Sequence, residues 1–180
     1  MISLNFPLDQ KEILDLKIGD RILINGTIFT ARDRAHQFLM EHHLGNIDNS
    51  IIYHCGPLIK DDLVISAGPT TSSRLNRYTP ELIRKYGIKA IIGKGGMDDA
   101  VINSLMGKAV YLSAIGGAGI TYAKTMRIKN AYNLEFGMSE AIWEFEVKDF
   151  PAIVTMDSRG NSLYKQIYKK SEAIFRNQLL

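Results

Sequence analysis

Between Asp20 and Phe29 the chain reads Asp-Arg-Ile-Leu-Ile-Asn-Gly-Thr-Ile-Phe, an apolar run that predicts a strand. Thr30 follows and is placed to cap a helix to about His43, with Ala35, Phe38 and Leu39 on one face. Ile51 to His54 and Leu63 to Ala67 are further short strands by the same pattern. Thr79-Pro80-Glu81 opens a helix, with Thr as N-cap and Pro in the first turn, and Gly87 closes it. Ala90-Ile91-Ile92 predicts a buried strand. Asp98 or Asp99 starts a helix to about Met106, and Val110 to Ile115 is again a strand. Gly116-Gly117-Ala118-Gly119 then leads into another helix. This alternation predicts parallel βαβ units in the middle of the chain. The last third differs: Ala141–Val147 and Ala152–Asp157 read as two strands joined through Pro151, then an amphipathic helix runs from Ser162 to about Arg176. The expected class is α/β, with a mixed sheet or two sheets and a helical layer, built from strand–Gly loop–helix units. The pattern leaves the strand order open.

Composition narrows this reading. A chain of 180 residues, 46% hydrophobic and 23% charged, suits one globular domain over residues 1–180. The net charge of +3 is mild, and the densest basic cluster is Lys165, Lys169 and Lys170. A nucleic-acid binder would show a basic stripe interleaved with aromatic residues, so no nucleic-acid partner is expected. No apolar run approaches the ~20 residues of a membrane span. The N-terminus has no signal-peptide pattern. A cytoplasmic, membrane-free protein is expected, in which the Asn25-Gly26-Thr27 sequon is inert. The single cysteine, Cys55, can build neither a disulfide framework nor a cysteine-ligated metal site, and no metal ligand is assigned.

Parallel units bind ligands at the carboxyl ends of their strands, and three cations fall there. Arg32 stands in the first turn of the helix after Thr30, where a positive charge opposes the helix dipole, so something anionic is expected to compensate it. A surface pair with Asp33 is the plainer alternative. Arg74 follows Gly68-Pro69-Thr70-Thr71-Ser72-Ser73, a turn with four hydroxyls, which is either an ordinary polar loop or a binding loop. Lys94 lies in Gly93-Lys94-Gly95-Gly96, whose glycines permit positive φ, close approach and an anion nest. This is no P-loop: Gly87 lies one residue too far from Gly93, and Gly95 replaces the Ser or Thr that binds magnesium. His42 and His43 are expected to face solvent, His36 to stand behind Arg32, and Cys55 to be a small buried residue.

Taken in order, these segments carry a resemblance. They are Gly26 to Asp33 with His36, Gly56-Pro57, Gly68-Pro69-Thr70-Thr71 with Arg74, and Gly93-Lys94-Gly95-Gly96-Met97. Glu140-Ala141-Ile142-Trp143, Val147 to Ala152, and Asp157 to Tyr164 follow. The set resembles the beta subunit, or C-terminal domain, of class I iron–sulfur fumarases and L(+)-tartrate dehydratases, over roughly Gly19 to Tyr164. The resemblance implies a swivelling β/β/α domain, and a hydro-lyase acting on a small dicarboxylic hydroxy acid. It implies a separate alpha subunit that carries a four-iron, four-sulfur cluster and shares the active site. It further implies that Arg32 and Arg74 bind carboxylates, with Lys94 and Gly95 at the substrate, and that Thr70 is the base or its close partner. Arg159, where His is familiar, and Ser72-Ser73, where Ser or Ala precedes Gly, are departures that bear on substrate preference.

The residues agree with that chemistry. Dehydrating malate requires holding two carboxylates, removing a proton beside one of them, and releasing a hydroxide. The chain offers three cations for charge-assisted hydrogen bonds worth about 1.5–3 kcal/mol each, while a cluster needs several thiolates. The alternative is a stand-alone anion-binding or regulatory module on the same loops. A sugar-phosphate isomerase would need a carboxylate base beside the glycines, and Asp98 and Asp99 there look like helix caps.

Overall fold

The structure is a computed structural model that describes residues 1–178. Helix and strand are mixed throughout, as the α/β reading expects. In chain order the elements are β1 (Ile2–Asn5), α1 (Gln10–Asp15), β2 (Arg21–Thr30), α2 (Asp33–Glu41) and β3 (Ile51–Tyr53). Then come β4 (Leu58–Lys60), β5 (Leu63–Ser66), α3 (Thr79–Tyr86), β6 (Ala90–Gly93), α4 (Asp99–Leu105) and β7 (Val110–Ser113). The chain continues through α5 (Gly119–Ala123), β8 (Met126–Tyr132), β9 (Ile142–Met156) and α6 (Leu163–Gln178).

Seven strands form one sheet in the order β1-β2-β3-β6-β7-β9-β8, and a further pairing of β2 with β9 closes β2, β3, β6, β7 and β9 into a ring. The contacts β2–β3, β3–β6 and β6–β7 are parallel, while β9 runs antiparallel to β2, β7 and β8. Alternation divides the side chains between two cores. Ile51, Tyr53, Ile92 and Leu112 point into the ring against Ile22, Ile28, Phe145 and Phe150. Ile52, Ile91 and Tyr111 point outward against Leu39, Leu82, Ile83 and Val101 of α2, α3 and α4. Each large aliphatic or aromatic side chain so buried is worth ~1.5–3 kcal/mol relative to exposure.

Several expectations are corrected. Thr30 ends β2 and caps no helix; its hydroxyl accepts the Trp143 N–H at 3.0 Å, tying β2 to the start of β9. Leu63–Ser66 is a strand as expected, but it pairs antiparallel with β4 in a small hairpin outside the main sheet. The two expected C-terminal strands are one, β9, because the irregular residue Asp149 (φ +54) is absorbed where the pairing with β2 shifts between Ile24 and Gly26. There Asn25 Oδ1 accepts the Asp149 N–H at 2.9 Å. Elements β1, α1, β4 and β8 were not anticipated.

Candidate functional site

The carboxyl ends of the parallel strands meet along one edge. Ala31 N–H donates to Tyr53 O, His54 N–H to Ile92 O, and Ala114 N–H to Gly93 O, at 2.8–3.0 Å. Between β3 and β6 the chain inserts Pro69–Ser72 as an extra rung. Cys55 bridges to Pro69 and Thr71 to Lys94. Thr70 N–H donates to His54 O at 2.7 Å, Lys94 N–H to Thr70 O at 3.2 Å, and Ser72 N–H to Lys94 O at 3.0 Å. Thr70 and Lys94, 24 positions apart in the sequence, are thus locked backbone to backbone. Arg74 follows in the 3-10 turn Ser72–Leu75. Among the described residues neither Arg74 nor Lys94 has a carboxylate partner. The stem of Lys94 runs beside Gly116.

Arg32 is different. It is the N-cap of α2, and its guanidinium pairs with Glu140, Nε to Oε1 at 3.3 Å, rather than with Asp33. The other Glu140 oxygen accepts the Arg34 N–H at 3.0 Å. The anion expected to compensate a cation at a helix start is therefore supplied by the chain itself. The pair lies within ion-pairing range without an aligned hydrogen bond, and Arg32 Nε stays unsatisfied. The arginine stem rests on Gly56, where an added Cβ would stand 2.7 Å from Arg32 Cδ and 2.7 Å from Ser139 O. That glycine is required by close approach. Residue separation hid Glu140 from the sequence reading; its one signal was its place in the Glu-Ala-Ile-Trp segment.

Behind the edge sit two wholly buried histidines with ring centroids 5.2 Å apart. His36 Nδ1 lies 2.8 Å from Arg32 O, an acceptor, so Nδ1 carries the hydrogen. Burial lowers the His36 pKa to about 4, against the smaller opposing pull of that hydrogen bond and of Asp33. Burial, then the neighbouring His36, pushes His54 well below its usual value. Both imidazoles are therefore neutral near pH 7. His42 and His43 lie on the surface, as expected.

Cys55 is buried inside the ring, on the far side of the strand edge from the histidines, and burial pushes its thiol up to about 12. Such a thiol does not fit an iron–sulfur cluster, whose ligands are thiolates. No group of three or more His, Cys, Asp or Glu suited to a metal stands together among the described residues. Asp98 caps α4 through Val101 N–H, and Asp99 pairs with Lys165, so both carboxylates are engaged away from a base role. The Asp157–Asn161 segment is a tight turn, with Asp157 Oδ1 accepting from the N–H groups of Arg159 and Asn161. Arg159 reaches Leu14 O at 2.9 Å and docks α1. No described helix is long and apolar enough to cross a membrane.

Comparison with known proteins gives this geometry a context. Residues 1–167 match the family model described as fumarase C-terminus. The chain is 45% identical over 179 residues to a Geobacillus stearothermophilus protein provisionally named class I fumarate hydratase, covering 95% of this chain and 35% of that one. It is 44% identical over 177 residues to a Methanocaldococcus jannaschii protein provisionally named L(+)-tartrate dehydratase subunit beta, covering 91% of each. With the L(+)-tartrate dehydratase subunit beta of Escherichia coli K12 it shares 32% identity over 170 residues, 89% of this chain and 85% of that one. The chain thus spans about a third of the length of the first relative and most of the other two.

Proposed function

This chain belongs to the fumarase C-terminus family, and from that premise we propose that it is the beta-type half of an iron–sulfur hydro-lyase. Its substrate class is a small dicarboxylic hydroxy acid, malate or tartrate. It works as one swivelling β/β/α domain beside a cytoplasmic alpha chain that holds the four-iron, four-sulfur cluster. The single observation that carries the reading is the Thr70–Lys94 rung. Through it the backbones of Thr70 and Lys94 are hydrogen-bonded at one strand edge, with Arg74 two residues past the rung, and neither cation has a carboxylate partner among the described residues.

In this reading Arg74 receives a carboxylate with its planar fork, a geometry lysine cannot offer. Arg32 has its Nε turned to Glu140, which leaves its terminal nitrogens for the second carboxylate. Lys94 and the Gly95 backbone stabilise the negative charge that builds beside a carboxylate as the C–H proton leaves. Gly95, at φ +73, takes the left-handed conformation this turn requires. Thr70 takes that proton on its hydroxyl oxygen; a threonine serves this way only when a neighbouring cation eases its deprotonation, and Lys94 is that neighbour. Hydroxide departs from the adjacent carbon, leaving the alkene diacid or, from tartrate, the enol of the keto acid. When bound, the partner chain's cluster would supply the Lewis acid that helps this hydroxide leave.

The experiment is Thr70→Val in the complex with its partner, assayed on L-malate and L-tartrate. The variant keeps the volume and removes the oxygen. The expected result is a collapse of kcat and of solvent exchange at the substrate C–H, with the fold kept. Exchange at the wild-type rate would take the base role from Thr70.

A further inference from the structure

A buried chain of hydrogen bonds runs behind the Lys94 loop. His54 Nδ1 lies 2.8 Å from Ser72 Oγ. Tyr111 Oη lies 2.9 Å from that same Oγ and 2.8 Å from Gly95 O. All three side chains are at 0% exposure.

Counting hydrogens fixes the direction. Gly95 O can only accept, so the one hydrogen of Tyr111 goes to it. With that hydrogen spent, Tyr111 cannot also donate to Ser72 Oγ, 2.9 Å away, so Ser72 gives its hydrogen to Tyr111 Oη and His54 gives its Nδ1 hydrogen to Ser72 Oγ. The reverse order would leave Gly95 O without that donor, while His54 Nε2 has no partner among the described residues in either order. Each group in the forward order donates once, and the last acceptor is a main-chain carbonyl of the loop.

The sequence makes room for this chain at a cost to local packing. Gly93 ends a strand buried at every residue, where a side chain would normally fill space. An added Cβ there would stand 1.8 Å from Ser72 Oγ. The first glycine of Gly-Lys-Gly-Gly therefore admits a hydroxyl, and only Gly95 of this segment has positive φ. A phenylalanine at 111 would fill the same core without burying an oxygen, so the hydroxyl is explained by what it holds. By drawing Gly95 O inward, Tyr111 turns the Gly96 N–H outward, because C=O and N–H of a trans peptide point in opposite directions.

We propose that Tyr111, backed by Ser72 and His54, is the positioning residue of the Lys94 loop, holding the Gly95–Gly96 peptide so that its N–H faces an arriving substrate carboxylate. This deepens the proposed function and rests on it for the identity of the ligand. The relay itself does not.

The test has two arms. Nitrogen-15 NMR of the imidazoles in the full chain should show His54 as the Nδ1–H tautomer. In Tyr111→Phe, Ser72 loses its acceptor and turns its hydrogen to His54 Nδ1. The tautomer should then switch to Nε2–H, and the Gly95 and Gly96 amide signals should move. In the complex with the partner chain, assayed on L-malate and L-tartrate, Tyr111→Phe should raise KM about tenfold, equivalent to one lost binding contact, with kcat little changed. Ser72→Ala keeps the Tyr111–Gly95 bond and should raise KM less. An Nε2–H tautomer in the wild type, or Gly95 and Gly96 amides unmoved in Tyr111→Phe, overturns the relay. A moved loop with unchanged KM overturns its role in binding. A wild-type complex inactive on both acids sinks the proposed function, and the NMR arm still decides the relay alone.

Discussion

Replacing Gly93 by alanine tests the tightest packing around the Lys94 loop. The new methyl carbon would stand 1.8 Å from Ser72 Oγ, 3.1 Å from Tyr111 Oη and 3.2 Å from Ser72 Cβ, against ~3.5–4.0 Å for an ordinary contact. Ser72 Oγ has to leave, and two hydrogen bonds go with it, at ~0.5–1.5 kcal/mol each. Overpacking adds ~1–3 kcal/mol, so Gly93→Ala should destabilise by about 2–6 kcal/mol. Ser72→Ala alone loses the two bonds, about 1–3 kcal/mol. In that background the Oγ at 1.8 Å no longer exists, and adding Gly93→Ala should cost under about 1.5 kcal/mol, the lower part of the overpacking range. The double variant should therefore be more stable than the sum of the singles predicts. Urea unfolding of the four proteins gives the coupling energy directly. Additivity within ~0.5 kcal/mol, or a Gly93→Ala variant as stable as wild type, would refute the reasoning.

Further outcomes are expected. His36 has a folded pKa of about 4 against 6.5 for the free side chain, so the unfolded chain takes up the proton first. Its contribution is full above pH 6.5 and lost as pH falls towards 4, about 3 kcal/mol in all; His36→Gln should make the fall of urea-derived stability less steep over that window, with buried His54 still contributing a fall of the same sign. Glu140→Gln keeps an acceptor for Arg34 N–H but removes the charge facing Arg32. In a partly exposed pair this should cost under ~1 kcal/mol, and the difference should shrink at high salt. Arg74→Ala should raise KM strongly in the complex with the partner chain, while Lys94→Ala should depress kcat by roughly 10²–10³, the loss of one donor to a developing anion. Unchanged kinetics in both would make these loops ordinary turns.

The parts of the fold that were legible are those where burial writes a local pattern. Ala90-Ile91-Ile92 is buried on both faces and reads as a continuous apolar run, and Thr79-Pro80 with Gly87 marks both ends of α3. β8 was invisible because it is half exposed, with Arg127, Asn130 and Lys129 among its residues and a register shift between Ile128 and Asn130. β9 was split at Asp149 and Pro151, whose local preferences oppose a strand; pairing to Leu23 and Ile24 overrides them. Of the site, Arg32, Thr70, Arg74 and Lys94 announce themselves by standing beside glycines and hydroxyls at strand ends. Glu140, Tyr111 and His54 do not, because each is tied to these loops only by contacts with distant segments, and a buried tyrosine in a strand looks like any other core aromatic.

The pairing of β2 with β9 has a consequence for how this chain acquires its shape. Thr27 lies 119 residues from the Glu146 it meets, and closing so long a loop is paid in entropy before any contact is gained. Topologies dominated by such distant pairings fold slowly. Until the last third of the chain has been synthesised and docked, β2 presents an open edge able to pair with any passing strand. The same event that seals this edge completes the enclosure beneath Thr70 and Lys94. Assembly of the ring and maturation of the site are thereby one cooperative step, and a chain halted short of β9 would be both unfinished and prone to aggregate.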